Sequence, residues 1–158
     1  MRPVFEQTHN DEWVLETRAV IERHGWFVQA VFDDAHVWAY TVGLAAGFNH
    51  PELIVTDICC PSCAGAILNS IGGLVRGGRH FDHGDLLADP VGEIVRLCDV
   101  DRGNFETGVF AVWNGYYRFL GPPYPEERAL EVVLPGHKPV LSVAVVATEA
   151  GFRPVADD

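Results

Sequence analysis

Residues 26–42 read Trp-Phe-Val-Gln-Ala-Val-Phe-Asp-Asp-Ala-His-Val-Trp-Ala-Tyr-Thr-Val, two runs rich in aromatic and β-branched side chains on either side of Asp33, Asp34 and Ala35. Such side chains suit a pleated, half-buried surface, and a short polar connection between two such runs predicts an antiparallel hairpin. The strands are expected over residues 26–32 and 36–42. Upstream, Trp13, Val14, Thr17, Val20, Ile21 and His24 recur at helical spacing, with Gly25 as the stop and Thr8-His9-Asn10-Asp11 as a capping-box start. Downstream, residues 52–58 predict a third strand, and Pro61 suits the first position of a second helix. That helix turns Ala64, Ile67, Leu68, Ile71, Leu74 and Val75 inward and ends by Gly77 and Gly78. Gly72 and Gly73 each weaken its last turns by roughly 1 kcal/mol.

Residues 93–100, 130–134 and 140–146 are the remaining strand expectations, the last two joined by a turn at Pro135-Gly136-His137-Lys138-Pro139. Residues 109–120 carry two competing signals. Asn114-Gly115 between aromatic runs is hairpin chemistry. Val109, Val112, Trp113, Tyr116, Tyr117 and Leu120 instead match one helical face, and the helix is the preferred reading. Residues 153–158 hold too little apolar content to be more than a loose tail. The whole chain, 1–158, thus reads as a single α+β domain, with an antiparallel or mixed sheet of five to six strands packed against two or three helices.

A chain of 158 residues with 48% hydrophobic and 21% charged residues is long and apolar enough for a self-sufficient core. Eleven basic against 22 acidic side chains give a net charge of -11, which repels phosphate backbones and anionic lipid headgroups, so nucleic acid and membrane surfaces are not expected partners. The N-terminal residues lack the apolar core of a signal peptide, and the longest apolar run, residues 143–147, is far too short to span a bilayer. A cytoplasmic setting is expected, in which the four cysteines remain thiols.

Gly25-Trp26 opening a strand, Tyr40-Thr41-Val42-Gly43-Leu44, His50-Pro51-Glu52-Leu53, Ile67-Leu68-Asn69 and Gly78-x-x-Phe81-x-x-Gly84 together resemble an uncharacterised bacterial family, domain of unknown function 4262. The resemblance runs from about residue 25 to 135. It implies a small cytoplasmic α+β domain with a helix between residues 104 and 120, and it brings no activity with it. The chain departs from the family's usual ending, a Gln-containing strand leading to Trp-Pro-Asp and later an aromatic Pro-Trp pair; Leu130-Glu131-Val132-Val133-Leu134-Pro135-Gly136 stands there instead.

Four groups of residues have types suited to chemistry, and no complete catalytic motif is among them. Around the glycine-broken turn of residues 43–52, His50 can serve as acid or base with Glu52 as its orienting carboxylate. Tyr40 joins them as a catalytic candidate, and Thr41 and Trp38 as ligand-binding ones. The plainer reading has His50-Pro51 as a rigid turn, its ring bonded to a backbone carbonyl, with Tyr40 in the core. Cys60-Pro61-Ser62-Cys63 at a helix start is a redox candidate, although the surrounding element order is not thioredoxin-like and cysteine is also a common core residue. Cys59 and Cys98 could join these two around zinc, but the adjacent pair at 59 and 60 fits structural spacings poorly. His80, Asp82 and His83 have metal-ligand side chains in a spacing that matches no complete metal motif, and a polar loop is the simpler account. Among Trp113, Tyr116, Tyr117, Phe119 and Tyr124, the adjacent tyrosines cannot both face one interior, so Tyr116 or Tyr117 is expected to send its hydroxyl to a pocket or to solvent.

The functional expectation is a domain that binds, and could process, a small polar molecule near Tyr40-Thr41 and His50-Pro51-Glu52. The alternatives are a non-catalytic domain with a protein partner and thiol–disulfide exchange through Cys60 and Cys63. No cofactor and no oligomeric state follow from these residues.

Overall fold

The computed structural model describes residues 4–32, 37–56, 61–148 and 151–154. In chain order they form α1 (Val4–His24), β1 (Phe27–Phe32), β2 (Val37–Val42), the five-residue α2 (Leu44–Phe48), β3 (Glu52–Thr56), α3 (Pro61–Arg76), β4 (Leu86–Ala88) and β5 (Ile94–Asp99). A 3-10 turn at Arg102–Glu106, α4 (Ala111–Leu120), β6 (Ala129–Val133), β7 (Val145–Thr148) and β8 (Gly151–Pro154) complete them. Six strands make one mixed sheet in the order β1-β2-β3-β6-β5-β4, in which only the β3–β6 pair is parallel. β7 and β8 pair separately. The expected hairpin is present, with Phe27 opposite Val42 and Phe32 opposite Val37.

Both faces of the sheet are covered, which is why the central strands β2, β3 and β6 are apolar almost throughout. Ala39, Leu53, Val55, Leu130 and Val132 point to one side and pack with Ile67, Leu68 and Ile71 of α3. Trp38, Tyr40, Val42, Ile54 and Ala129 point to the other and pack with Phe110, Trp113, Tyr116 and Tyr117 around α4. α1 lies against β1 and α4. The chain is therefore a single α+β unit of three layers.

The helix at α4 prevails over the Asn114-Gly115 hairpin signal because a helix buries Trp113, Tyr116 and Tyr117 together. Gly115 has a packing role, since a Cβ there would stand 3.2 Å from the Trp13 ring of α1.

Several sequence expectations are corrected. α1 begins at Val4, so Thr8 to Asp11 lie within it rather than capping it; no glycine or proline interrupts residues 4–24. Leu74 is exposed, one step off the buried stripe of α3. The strand expected at 140–146 does not join the sheet. Val140 and Leu141 give their amides to the Glu131 carboxylate, the Leu141 and Val143 carbonyls accept from Asn104 Nδ2, and the Val145 amide donates to Asn104 Oδ1. Side-chain groups thus replace a neighbouring strand, and the sixth place falls to β4, three residues that sequence reading passed over. α2 and the 3-10 turn were also passed over, being too short to carry a period; the three longer helices of the described residues, α1, α3 and α4, match the expected two or three. Residues 153 and 154, expected in a loose tail, end β8, because hairpin pairing uses backbone groups and needs little apolar content. The loop at Asp33, Asp34 and Ala35 lies outside the described residues, and no described helix is long and apolar enough to cross a membrane.

Gly72 and Gly73 make a sharp test of the α3–sheet contact. A Cβ at Gly72 would stand 2.8 Å from two atoms of the buried Trp26 indole, whose Nε1 donates to Asn69 at 2.8 Å and whose ring lies under the Arg76 guanidinium. A Cβ at Gly73 meets nothing within 4 Å. Gly72→Ala is expected to destabilise by about 1–3 kcal/mol through overpacking. Gly73→Ala should stabilise by up to about 1 kcal/mol through helix propensity. Urea denaturation of both variants decides it, and equal effects would mean that Trp26 yields freely.

Candidate functional site

Glu52, the first residue of β3, is fully buried with its carboxylate, and five groups donate to it. Thr41 Oγ1 at 2.7 Å and the Leu44 amide at 3.2 Å reach Oε1; the Gly43 and Ala45 amides at 3.1 Å and Trp113 Nε1 at 3.0 Å reach Oε2. The Thr41 hydroxyl also accepts from the Leu53 amide at 2.9 Å, taking over where the β2–β3 ladder ends at Tyr40 and Ile54. Gly43 adopts φ 123°, a left-handed conformation that glycine tolerates, and this brings three successive amides onto one carboxylate. Burial pushes the Glu52 pKa above the ordinary carboxylate range, and the donors, Thr41 first, oppose that rise. The four N–H groups of this shell can only donate, and the Thr41 hydroxyl, already accepting from Leu53, donates its proton to Glu52, so the geometry is built for a carboxylate anion.

The same helix is tied down by Tyr40. Its hydroxyl accepts from the Val112 amide at 2.9 Å, capping the start of α4, where Phe110 offers no side-chain cap. Burial pushes the Tyr40 pKa up to about 12, so the phenol keeps its proton at neutral pH. Trp38 is buried, with Nε1 donating to the Val109 carbonyl at 3.1 Å.

His50 is buried beside this framework but does not pair with Glu52. Its Nδ1 lies 2.8 Å from the Pro51 carbonyl, and its Nε2 accepts from the Phe81 amide at 3.0 Å. These partners require the neutral ring with its proton on Nδ1. Burial, more than the nearby His80, lowers its pKa below the ordinary value. The expected His50–Glu52 relay is thus replaced by two separate anchors, because the proline between them turns the two side chains to different partners. His50 pins the loop of residues 78–85 to the α2 turn.

The open space lies next to these groups. A cavity of about 420 Å³ is lined by Arg102, Trp113, Asn114, Tyr117, Arg118, Tyr124, Pro125, Glu126 and Glu127. A smaller one of about 80 Å³, beside Ala45, Asn49, His50, Pro51 and Arg128, shares Pro125 and Glu126 with it. Trp113, Asn114, Tyr117 and Arg118 are one stripe of α4 at spacings of one, four and five, which turns them to the same side. Tyr117 is 4% exposed, and its buried hydroxyl makes no hydrogen bond of good geometry among the described residues, although the Ala46 amide is close enough to pull its pKa down. Burial first, then the nearby Glu52 charge, pushes its pKa up. Grooves of about 430 and 470 Å³ flank α1, and no described residue lining them leaves a buried polar atom unpaired.

Of the residues marked from sequence, Trp113, Tyr117, Tyr124 and His50 line this paired cleft, whereas Tyr40, Thr41 and Glu52 are sealed beneath it. Trp38 lines neither cavity. Tyr116 is buried too and feels Arg18 and Glu22 of α1; contrary to the expectation that the adjacent tyrosines cannot share one interior, their rings meet edge to face at 5.1 Å between centroids in one core cluster, and neither is solvent-facing. Cys60, like Cys59, lies outside the described residues; Cys63 is an exposed thiol in the first turn of α3, and Cys98 is buried in β5 with its pKa raised by burial. His83 Nδ1 accepts from the Asp99 amide, while His80 Nε2 sits 3.3 Å from Asp82, so the metal candidates divide. Among the described residues no three His, Cys, Asp or Glu side chains are grouped to hold a metal ion. Arg102, Asn114, Arg118, Glu126 and Glu127 were missed; a helical projection of α4 would have found the second and third.

A family profile described as a domain of unknown function, DUF4262, matches residues 20–140. The chain belongs to the DUF4262 family. The match takes in the Glu52 framework and every residue lining the paired cleft of this DUF4262 chain. No curated protein and no solved structure matches the chain.

Two outcomes test the framework. Glu52→Gln places an amide donor against a shell of donors, and a loss of about 3–5 kcal/mol is expected, as when one partner of a buried charged network is removed. A loss below 1 kcal/mol in chemical denaturation would show that the carboxylate is not held as an anion. For His50, the folded pKa is depressed, so the unfolded chain takes up its proton first as pH falls. The stability contributed by the neutral ring is complete above about pH 6.5 and is lost as pH falls through the folded value. The protection of the Phe81 amide, its exchange rate by NMR corrected for the intrinsic base-catalysed rate from about pH 8 to 5, should fall with pH in the wild type and be low at every pH in His50→Ala.

Proposed function

We propose that this domain binds a small polar molecule in the cavity between α4 and the 121–127 connector, without covalent chemistry. The carrying observation is the coincidence of a ligand-sized cavity with Tyr117, a wall residue whose buried hydroxyl makes no hydrogen bond of good geometry and has only the Ala46 amide near it. Small-molecule sites of about 300–1,000 Å³ combine apolar and aromatic walls with a few polar groups, and a buried hydroxyl left unpaired costs about 1–3 kcal/mol that a ligand can recover. Trp113, Tyr124 and Pro125 supply the walls. The sealed positions of Tyr40 and Glu52, and the two bonds that occupy both His50 nitrogens, favour binding over acid–base catalysis. The net charge of -11 favours a compact ligand over a polyanion, and we assign the domain to the cytoplasm on its few, clustered cysteines, which suit a reducing compartment.

Tyr117→Phe separates binding from architecture. Without ligand the variant should be more stable by about 1 kcal/mol, a rise of roughly 2–4 °C in Tm, because an unpaired buried hydroxyl is removed. With ligand it should bind about 5–10-fold more weakly. The measurement is a two-dimensional NMR screen of polar metabolites that follows the Trp113 indole N–H, with thermal melts of both proteins. A screen in which nothing shifts that signal, together with a variant less stable than wild type, would defeat the proposal and mark Tyr117 as a packing residue.

A further inference from the structure

The charges around the cleft do not cancel. Arg102 and Arg118 line the larger cavity and Arg128 the smaller, facing Glu126 and Glu127. Glu127 lies 3.7 Å from Arg102, and Glu126 lies 3.9 Å from Arg128. Arg118 has no ionic partner among the described residues. Among the side chains lining the cleft three arginines face two glutamates and Arg118 is left over, while the Glu52 carboxylate sealed beneath is engaged by its own five donors.

From this balance we infer that the cavity takes a flat small molecule bearing a single carboxylate, with the carboxylate on Arg118 and the ring against Trp113 and Tyr124. The inference rests on the small-molecule reading above and adds the class of ligand. A guanidinium is planar and offers two parallel N–H donors, the match for a carboxylate. A monoanion suits one unpaired arginine, whereas a second negative charge would face the two rim glutamates at close range. The walls favour a flat body: Trp113, Tyr117 and Tyr124 are aromatic, and Tyr124 is 60% exposed, leaving its ring open to a partner. Asn114 shows which polar group of the ligand is expected opposite the carboxylate. Its Nδ2 donates to the Phe105 carbonyl at 2.7 Å, which leaves Oδ1 as an acceptor for a ligand hydroxyl or N–H.

Matched pairs of fragments test this, each an aryl carboxylate with its carboxamide: benzoate with benzamide and indole-3-acetate with indole-3-acetamide, plus cyclohexanecarboxylate as a non-flat acid. Binding is read from the Trp113 indole N–H and the Arg118 backbone amide in NMR titrations of the full chain. The carboxylates should bind at least about tenfold more tightly than their carboxamides and more tightly than the cyclohexane acid. Arg118→Gln should bring each pair to within about twofold, and Arg23→Gln, an exposed arginine on α1 away from the cleft, should leave the ratio unchanged. Carboxamides that bind as well as carboxylates would overturn the assignment of the ligand class and leave the binding site standing. Arg118→Gln and Arg23→Gln lowering the ratio equally would also overturn it, reducing the preference to general charge. Fragments that leave both cavity signals unmoved, with a polar screen equally silent, would remove the site itself.

Discussion

A single buried carboxylate holds this fold's centre together. Glu52 collects the end of β2 through Thr41, the α2 turn through three backbone amides, and α4 through Trp113. An anion in an apolar interior is costly unless every lone pair is used, and here five donors use them. The consequence is geometric as well as energetic. Because the Trp113 indole is fixed on Glu52, and the first turn of α4 on the Tyr40 hydroxyl, the stripe of α4 that faces the cavity has a set rotation and height.

The device occurs twice on the same face of the sheet. Glu131 on β6, which pairs with Ile54 of β3, accepts from Thr56 Oγ1 and from the Val140 and Leu141 amides. In each case a buried glutamate on a central strand takes a threonine hydroxyl from the next strand and consecutive amides of a departing segment. Asn104 does the same work with a neutral side chain, bonding the Leu141 and Val143 carbonyls and the Val145 amide. Irregular chain is thereby kept in place at both ends of the parallel pair, and the backbone groups that leave the ladder are paired.

Against that background of satisfied groups the Tyr117 hydroxyl stands out. Binding sites are often where local stability is given up, since a group that waits for a ligand is unsatisfied without one. The cavity beside it is bounded on one side by a rigid helix and on the other by the Gly121-Pro122-Pro123-Tyr124-Pro125 connector, whose prolines restrict its backbone. A cavity framed in this way has little freedom to change shape, which is the preorganisation that the proposed binding role calls for.

The layered α+β plan was legible from residue order alone. Period-two runs at β1, β2, β3, β5 and β6, and period-3.6 stripes at α1, α3 and α4, are local signals, and burial of one face acts on each element separately. The motif residues 40–44 and 50–53 pointed to the right turn, and the plainer reading of His50 on a backbone carbonyl and Tyr40 in the core holds, but the partners of Glu52 were not legible. Whether Glu52 serves a histidine or a set of amides depends on Trp113, 61 residues away, and on the φ of Gly43. Likewise Val140 and Leu141 leave the strand pattern for Glu131, while three residues of β4 take the edge beside β5, outcomes set by distant groups that no window of sequence contains. The sequence by itself determined which segments are helix and strand and which faces they bury, since those follow from side-chain spacing. Only the tertiary structure decided which polar groups are satisfied and which, at Tyr117, is left over, because satisfaction is a property of pairs brought together by the fold.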